Sequence, residues 1–269
     1  MSKDQKQNKE SKAKSMFASF AIPVLVVVGV CIYIFILGNP ANFQGNDKNN
    51  SPANVLGIIY KGGFIVPILI SLVLMSITFS IERFLTIAKA SGKGSAQAFV
   101  HKVQSHLSGG NIEAALKECD IQQGSVANVV KSALIKYKEM EGVAELNRDQ
   151  KVLAIQKEIE ESVSLELPML EKNLVIIATM ASVSTLIALL GTVLGMIRAF
   201  SALAQAGAPD SVALASGISE ALINTALGIA NSAIAIIMYN VFTTSIDKIT
   251  YTIDEAGFSI TQTYASAHR

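Results

Sequence analysis

The chain has 269 residues, of which 51% are hydrophobic and 16% charged, with no Trp and a mean hydropathy of +0.43. That balance excludes an ordinary soluble domain and defines an integral membrane protein. A net charge of +1 argues against a polyanionic partner such as nucleic acid. The two cysteines, Cys31 in the first apolar stretch and Cys119 in a polar one, are expected to form no disulfide.

Crossing about 30 Å of hydrocarbon takes roughly 20 helical residues, and four stretches are long enough: Phe17 to Leu37, Phe64 to Phe84, Leu174 to Phe200 and Val212 to Phe242. Residues 1–16 hold Lys3, Lys6, Lys9, Lys12 and Lys14, whereas the loop 38–63 has only Lys48 and Lys61. The segment from Arg83 to Lys172 carries 12 Lys and Arg, and the loop 201–211 carries none. Positive charge stays inside. The expectation is therefore a cytoplasmic start (1–16), an outer loop (38–63), a cytoplasmic domain (85–173), a short outer loop (201–211) and a cytoplasmic tail (243–269). The first span is too long for a signal peptide and is kept as an anchor.

The Pro52 to Lys61 half of the first outer loop reads as a short helix on the membrane surface. The cytoplasmic domain reads as helices at Ser95 to Leu107, at Ile112 to Cys119 with Asn111 as cap, and at Ser125 to Met140. An amphipathic pattern from about Asp149 runs through Lys172 into the third span, with a bend expected near Pro168. Strand alternation and repeats are absent, so the fold class is all-α.

The last two spans are patterned unlike simple anchors. In the third, Ala178, Ala181, Thr185, Ala188, Thr192, Gly195 and Ala199 recur at spacings of three and four, which places only small side chains on one stripe. In the fourth, Gly217, Ala221, Asn224, Gly228, Asn231 and Ala235 do the same. Close helix packing explains small residues. It does not require Thr185, Thr192, Asn224 and Asn231 on the stripes, nor Glu220 at one edge of the second stripe and Thr225 and Ser232 at the other. An acid at that depth persists where it faces a bundle interior, a partner or a water-filled path, so Glu220 is a candidate for ion movement, with a hydrogen bond between helices as the simpler reading. A ring of such helices would turn hydroxyls, amides and a carboxylate toward a lumen.

Enzymatic signals are weak. Ser91-Gly92-Lys93-Gly94-Ser95 lacks the earlier Gly of a phosphate loop, Ile87 standing there, and has Gly94 where Ser or Thr should follow the Lys. His101 and His106 miss the i, i+4 spacing of a helical zinc pair. No cofactor, metal or catalytic group is expected, and any work must be driven by an ion gradient or by partners.

Leu189-Leu190-Gly191-Thr192-Val193-Leu194-Gly195-Met196-Ile197-Arg198-Ala199-Phe200, then Gly217-Ile218-Ser219-Glu220-Ala221-Leu222-Ile223-Asn224-Thr225-Ala226-Leu227-Gly228 and Tyr239-Asn240, resemble the MotA/TolQ/ExbB proton-channel family, ExbB most of all. Ile81-Glu82-Arg83 resembles the inner end of that family's first core helix. The resemblance covers about Phe64 to Asp247, which leaves the first span as an addition to a three-helix core. It implies a pentameric ring in the bacterial inner membrane with both termini cytoplasmic. An ExbD-like dimer would occupy the pore, and ion flow would drive motion passed to a TonB-like transducer. By motif position Glu220 matches the family's intramembrane glutamate, and Thr192 and Thr225 match its two pore threonines, for which bonding to their own backbone carbonyls is the simpler role. Thr185, Asn224, Asn231 and Ser232 are further pore-lining candidates.

Thr185 and Ala188 stand where the family usually has Pro and Gly, Ile234 where it has Pro, and Asn224, Asn231 and Ser232 where residues are commonly apolar. These departures would straighten helices and add oxygen ligands that could admit sodium beside protons; the simpler reading is that they bond between helices. TolQ-like envelope tethering and a MotA-like stator use the same core. A secondary transporter is disfavoured by the lack of an inverted repeat, and a passive scaffold by Glu220.

The charge asymmetry predicts that cysteines introduced at Asn46 and Ser95 label differently, the first alone being reached by a membrane-impermeant thiol reagent from outside. Equal labelling of the two would refute the four-span topology.

Overall fold

A computed structural model describes residues 3–204 and 210–268, with side chains from residue 17 onward. The side chains of the Lys-rich start and residues 205–209 of the loop expected at 201–211 lie outside the described residues. The elements are α1 (Lys3–Cys31), continued by a π-helical stretch Ile32–Leu37, then α2 (Val55–Tyr60), α3 (Val66–Ala90), α4 (Ala96–Ser108), α5 (Ile112–Gln122), α6 (Gly124–Gly142), α7 (Arg148–Glu171), α8 (Leu174–Ala204) and α9 (Ser211–Ala267). The described residues contain no strand, only an isolated bridge between Phe43 and Pro52. Four helical stretches are long and apolar enough to cross a membrane: Phe17–Leu37, Gly63–Ala90, Arg148–Ala204 and Ser211–Ala267. The chain is an all-α membrane protein.

Two compact units divide the chain, Met1–Ser80 with Val175–Tyr239, and Ile81–Leu174 with Asn240–Arg269. In the first, α3 buries Leu69, Leu72, Met75 and Phe79, the three- and four-residue spacing of one helix face. Its Ser71 and Ser76 hydroxyls return to the carbonyls of Pro67 and Leu72, so neither needs water inside an apolar slab. Gly29 of α1 lies against Ser71, where a Cβ would meet the Ser71 backbone nitrogen at 3.1 Å. The Phe17 ring meets Phe79 edge-on at 6.0 Å.

The loop leading to α3 is folded around Asn42, whose amide donates to the carbonyls of Ile36 (2.7 Å) and Leu37 (2.9 Å) and whose Oδ1 accepts from Asn54 (3.0 Å). Asn54 also caps α2 through the Gly57 amide. Tyr33 and Tyr60 stack at 4.7 Å.

The second unit is a helical bundle. Asn111 caps α5 as expected, and an Asn147–Gln150 capping box starts α7. Val126, Val129, Val130, Ala133, Leu134, Tyr137 and Met140 form the buried face of α6. Arg83, 2% exposed, pairs with Glu82 and donates to the carbonyls of Met169 (3.3 Å) and Leu170 (3.2 Å), orphan acceptors at the end of α7. Burial pushes the Cys119 thiol up to about 12, so it is a core residue and not a nucleophile.

Two expectations are corrected. The helix expected to run unbroken into the third span is interrupted at Lys172 and Asn173, just past Pro168, and Asn173 there adopts φ 63°, a left-handed position that an Asn side chain tolerates. Residues 243–269, read as a tail, continue α9 to Ala267 and bury Ile246, Ile249, Ile253, Ala256, Ile260 and Tyr264. Tyr264 meets Tyr137 edge-on at 4.6 Å, which makes the end of the chain part of this core.

Leu134 is fully buried, and Leu134→Ala is expected to cost about 2–5 kcal/mol of stability. The buried Tyr264 hydroxyl has no partner among the described residues, so Tyr264→Phe is expected to be neutral or slightly stabilising. Amide exchange across the second unit, followed in the full-length protein, checks both; a large loss for Tyr264→Phe would contradict the packing described.

Candidate functional site

The site grows from the contact between α8 and α9. Glycines on both helices allow the backbones to touch: a Cβ at Gly195 would meet the Gly217 carbonyl oxygen at 2.8 Å and the Ala221 amide nitrogen at 2.9 Å, and one at Gly217 would meet the Ala199 amide nitrogen at 2.8 Å. Further in, a Cβ at Gly191 would strike Asn224 at 2.8 Å, and Gly228 is closed in by Ala188 and the Ser184 carbonyl. Between membrane helices there is no hydrophobic gain from leaving water, so such close packing, with its dispersion contacts and short polar bridges, is what holds them together.

The small stripe of α9 is entirely inside this contact: Gly217, Ala221, Asn224, Gly228, Asn231 and Ala235 are all buried. Asn224 and Asn231 are therefore corrected as pore-lining candidates. The Asn224 amide donates to the Gly62 carbonyl at 3.0 Å, and the Asn231 amide donates to the Ser184 hydroxyl at 2.6 Å, which in turn donates to the Met180 carbonyl. Each asparagine spends its amide tying one element to another, the simpler of the two roles the sequence offered. The side-chain oxygens of both are buried without a partner among the described residues.

On α8 the stripe is split. Ala181, Ala188, Gly195 and Ala199 are buried, but Thr192 is half-buried and Thr185 exposed. The Thr192 and Thr225 hydroxyls meet at 2.5 Å, and each also lies 3.0 Å from the carbonyl four residues before it, of Ala188 and Ala221. Two hydroxyl protons serve three contacts, so one contact always lacks its proton and the pair can exchange donor and acceptor roles. Thr185 and Ser232 share a groove of about 340 Å³ with Ala178, Ala181, Ser182, Ile236 and Tyr239. Toward the other end of α8 an apolar depression of about 600 Å³ runs along Thr192, Val193, Met196, Ile197 and Phe200.

Glu220 is only 6% exposed, and it is not alone: Arg198 Nη1 donates to both carboxylate oxygens, at 2.6 and 2.7 Å. The Arg198 guanidinium sits 5.5 Å from the centre of the Phe64 ring, and the carboxylate lies against Gly63, whose φ of 78° and absent side chain leave it the room. Sequence reasoning missed this partner. Arg198 lies six residues before the end of α8 and Glu220 nine after the start of α9, about 9 and 14 Å along their axes at 1.5 Å per residue, so their similar depth was readable.

Fold and site together describe a helical membrane protein with four membrane-length helices, a tightly packed helix pair, a hydroxyl contact at its edge and a buried carboxylate paired within the chain. Residues 124–255, just under half of the chain, match the MotA/TolQ/ExbB proton channel family. Among its relatives are a putative biopolymer transport protein ExbB-like 3 of Synechocystis, 36% identical over 86 residues, 31% of this chain and 41% of that protein. The Tol-Pal system protein TolQ of Haemophilus influenzae is 35% identical over 109 residues, 39% of this chain and 48% of that one. The biopolymer transport protein ExbB of Salmonella typhimurium is 31% identical over 84 residues, 31% of this chain and 34% of that one. The matched stretch thus spans less than half the length of each.

If the glycines set the contact, cysteines replacing Thr192 and Thr225 should form a disulfide readily in the otherwise unchanged protein and poorly when Gly195→Val is added. Undiminished crosslinking in the Gly195→Val background would show that the helices do not depend on this close approach.

Proposed function

We propose that this protein is an ExbB-like subunit of an ion-driven motor in a bacterial inner membrane, without enzymatic activity. Five copies form a ring with α8 and α9 toward the lumen, and an ExbD-like dimer occupies that lumen. Protons passing the Thr192–Thr225 contact move the partner, and the motion reaches a TonB-like transducer that powers outer-membrane uptake. Both chain ends lie in the cytoplasm, and α1 is an extra anchor outside the three-helix core.

The observation that carries this reading is the exposed hydroxyl edge of the α8–α9 pair. Thr185, Ser182, Ser232 and Tyr239 line one groove and make no hydrogen bond among the described residues. Facing lipid they would be unsatisfied, which is costly; facing a lumen they meet water or a partner helix. The edge continues to Thr192 and Thr225, whose exchangeable hydroxyl pair suits proton passage next to a partner's acid. The proton is preferred to sodium as the coupling ion because the two asparagines whose oxygens would have added ligands are buried between helices, away from the groove. Each unit charge crossing 100 mV supplies about 2.3 kcal/mol, the energy available to the motor.

TolQ-named relatives match at similar identity to the ExbB-named ones, over 109 and 103 residues, which supports a Tol-type envelope role as the second reading. Copurification with a TonB-type or a Pal-type system separates the two.

The expected outcome is that the protein isolates with a single-span, Asp-bearing partner and that Glu220→Gln abolishes gradient-driven uptake while the complex stays assembled. Thr192→Val and Thr225→Val should each reduce uptake without abolishing it, and activity should not respond to sodium at fixed potential and pH. Full uptake in the double threonine variant would remove this edge from the ion path.

A further inference from the structure

We infer that Arg198 is the positioning residue of Glu220, and that the pair acts as an anchor at one end of the α8–α9 contact and not as a carrier of the ion. The carboxylate is held on three sides. Arg198 Nη1 reaches both oxygens from α8 at 2.6 and 2.7 Å; Glu220 itself belongs to α9; and the Gly62–Gly63 turn before α3 closes over it. That turn is seated independently by the Asn224 amide on the Gly62 carbonyl, one helical turn further along α9. It has no spare room, since a Cβ at Gly62 would meet Ile223 Cγ2 at 2.8 Å, and one at Gly63 would overlap the carboxylate.

The two charges differ in their surroundings. The Glu220 side chain is 8% exposed and the Arg198 side chain 52%. Arg198 therefore reaches in from a more open position, with Phe64 beneath its guanidinium, to neutralise a carboxylate that could not remain in an apolar slab unaccompanied. A carboxylate bonded through both oxygens and covered by backbone is poorly placed to travel with an ion. It is well placed to hold α8 and α9 in register. Thr225 is five residues beyond Glu220 and Thr192 six residues before Arg198, so the pair locks the same two helices whose hydroxyls must meet about 8 Å away.

The activity arm of the test rests on the proposed motor function; the stability arm does not. The thermal midpoint of the purified protein in lipid nanodiscs and the gradient-driven activity of cells are measured for Arg198→Gln, Glu220→Gln, the double Gln variant, Arg198→Lys, and the exchange Arg198→Glu with Glu220→Arg. Each single Gln variant should lower the midpoint, and the double variant should fall no further than the worse single. Arg198→Lys should keep activity that Arg198→Gln loses, and the exchange should recover both readouts. Additive losses of midpoint would overturn the inference. So would an exchange that regains stability but not activity, because the carboxylate would then be required at position 220 for itself. If the exchange does not assemble, equal loss in Arg198→Lys and Arg198→Gln overturns it, and retention in Lys alone upholds it. If the unchanged protein shows no gradient-driven activity with any partner, the motor reading fails, and the midpoint cycle alone decides the pair: non-additive losses uphold Arg198 as the positioner of Glu220.

Discussion

The backbone-to-backbone approach of α8 and α9 is the constraint on which the described site depends. Gly195, Gly217, Gly191 and Gly228 remove the side chains that would hold the helices apart. In water such a contact would bury little apolar surface and count for little. In lipid, where leaving solvent gives no gain, short interatomic distances and short polar bridges are the available source of cohesion. The same closeness is what brings the hydroxyls of Thr192 and Thr225 to 2.5 Å and allows Asn231 to reach Ser184. A separation of one methyl group more would part the two threonines and leave the Asn231 amide without its partner, in a medium that offers no water to replace it.

Polar residues in this unit therefore sort by what they can reach. Ser71, Ser76, Ser184, Thr192 and Thr225 return a proton to the carbonyl one turn back, the cheapest way for a hydroxyl to exist in an apolar helix. Asparagines cannot do this with their whole amide, so Asn224 and Asn231 bridge between elements, each leaving one oxygen without a partner among the described residues. The charged residue takes the strongest available solution, a counter-ion. The groove with Thr185, Ser182, Ser232 and Tyr239 instead holds hydroxyls that make no hydrogen bond among the described residues, and in the proposed function this is the face turned to a lumen.

The second unit follows the ordinary rules of water-soluble bundles. Its helices are capped by Ser95, Asn111 and Asn147, its charged pairs such as Lys138 with Glu113 lie on the surface, and its core is assembled from aliphatic faces. The exposed pairs add little, because both partners stay solvated. The buried Arg83 differs, since it satisfies the carbonyls that end α7 and anchors Glu82, to which Asn173 also donates at 3.2 Å.

Composition and run length were enough to define an all-α membrane protein, because crossing lipid demands long apolar helices whatever their neighbours do. The motifs around Gly191-Thr192 and Glu220 carried the family resemblance, and the caps Asn111 and Ser95 were legible because capping is a local matter of one side chain and one amide. The helical face in residues 243–267 was also legible, in the spacing of Ile246, Ile249, Ile253, Ala256 and Ile260, although a polar-looking end of chain concealed it. What the sequence left open was which side of each stripe faces a neighbour. Asn224 and Thr225 are adjacent, yet one is buried between helices and the other meets a hydroxyl at the edge. A helical period locates a stripe to within a third of a turn, and only the approach of α8, α9 and the Gly62–Gly63 turn decides which residues fall inside it. The partnership of Arg198 with Glu220 was decided in the same way: 22 positions separate them in the chain, and only the packing of the two helices turns similar depth into contact.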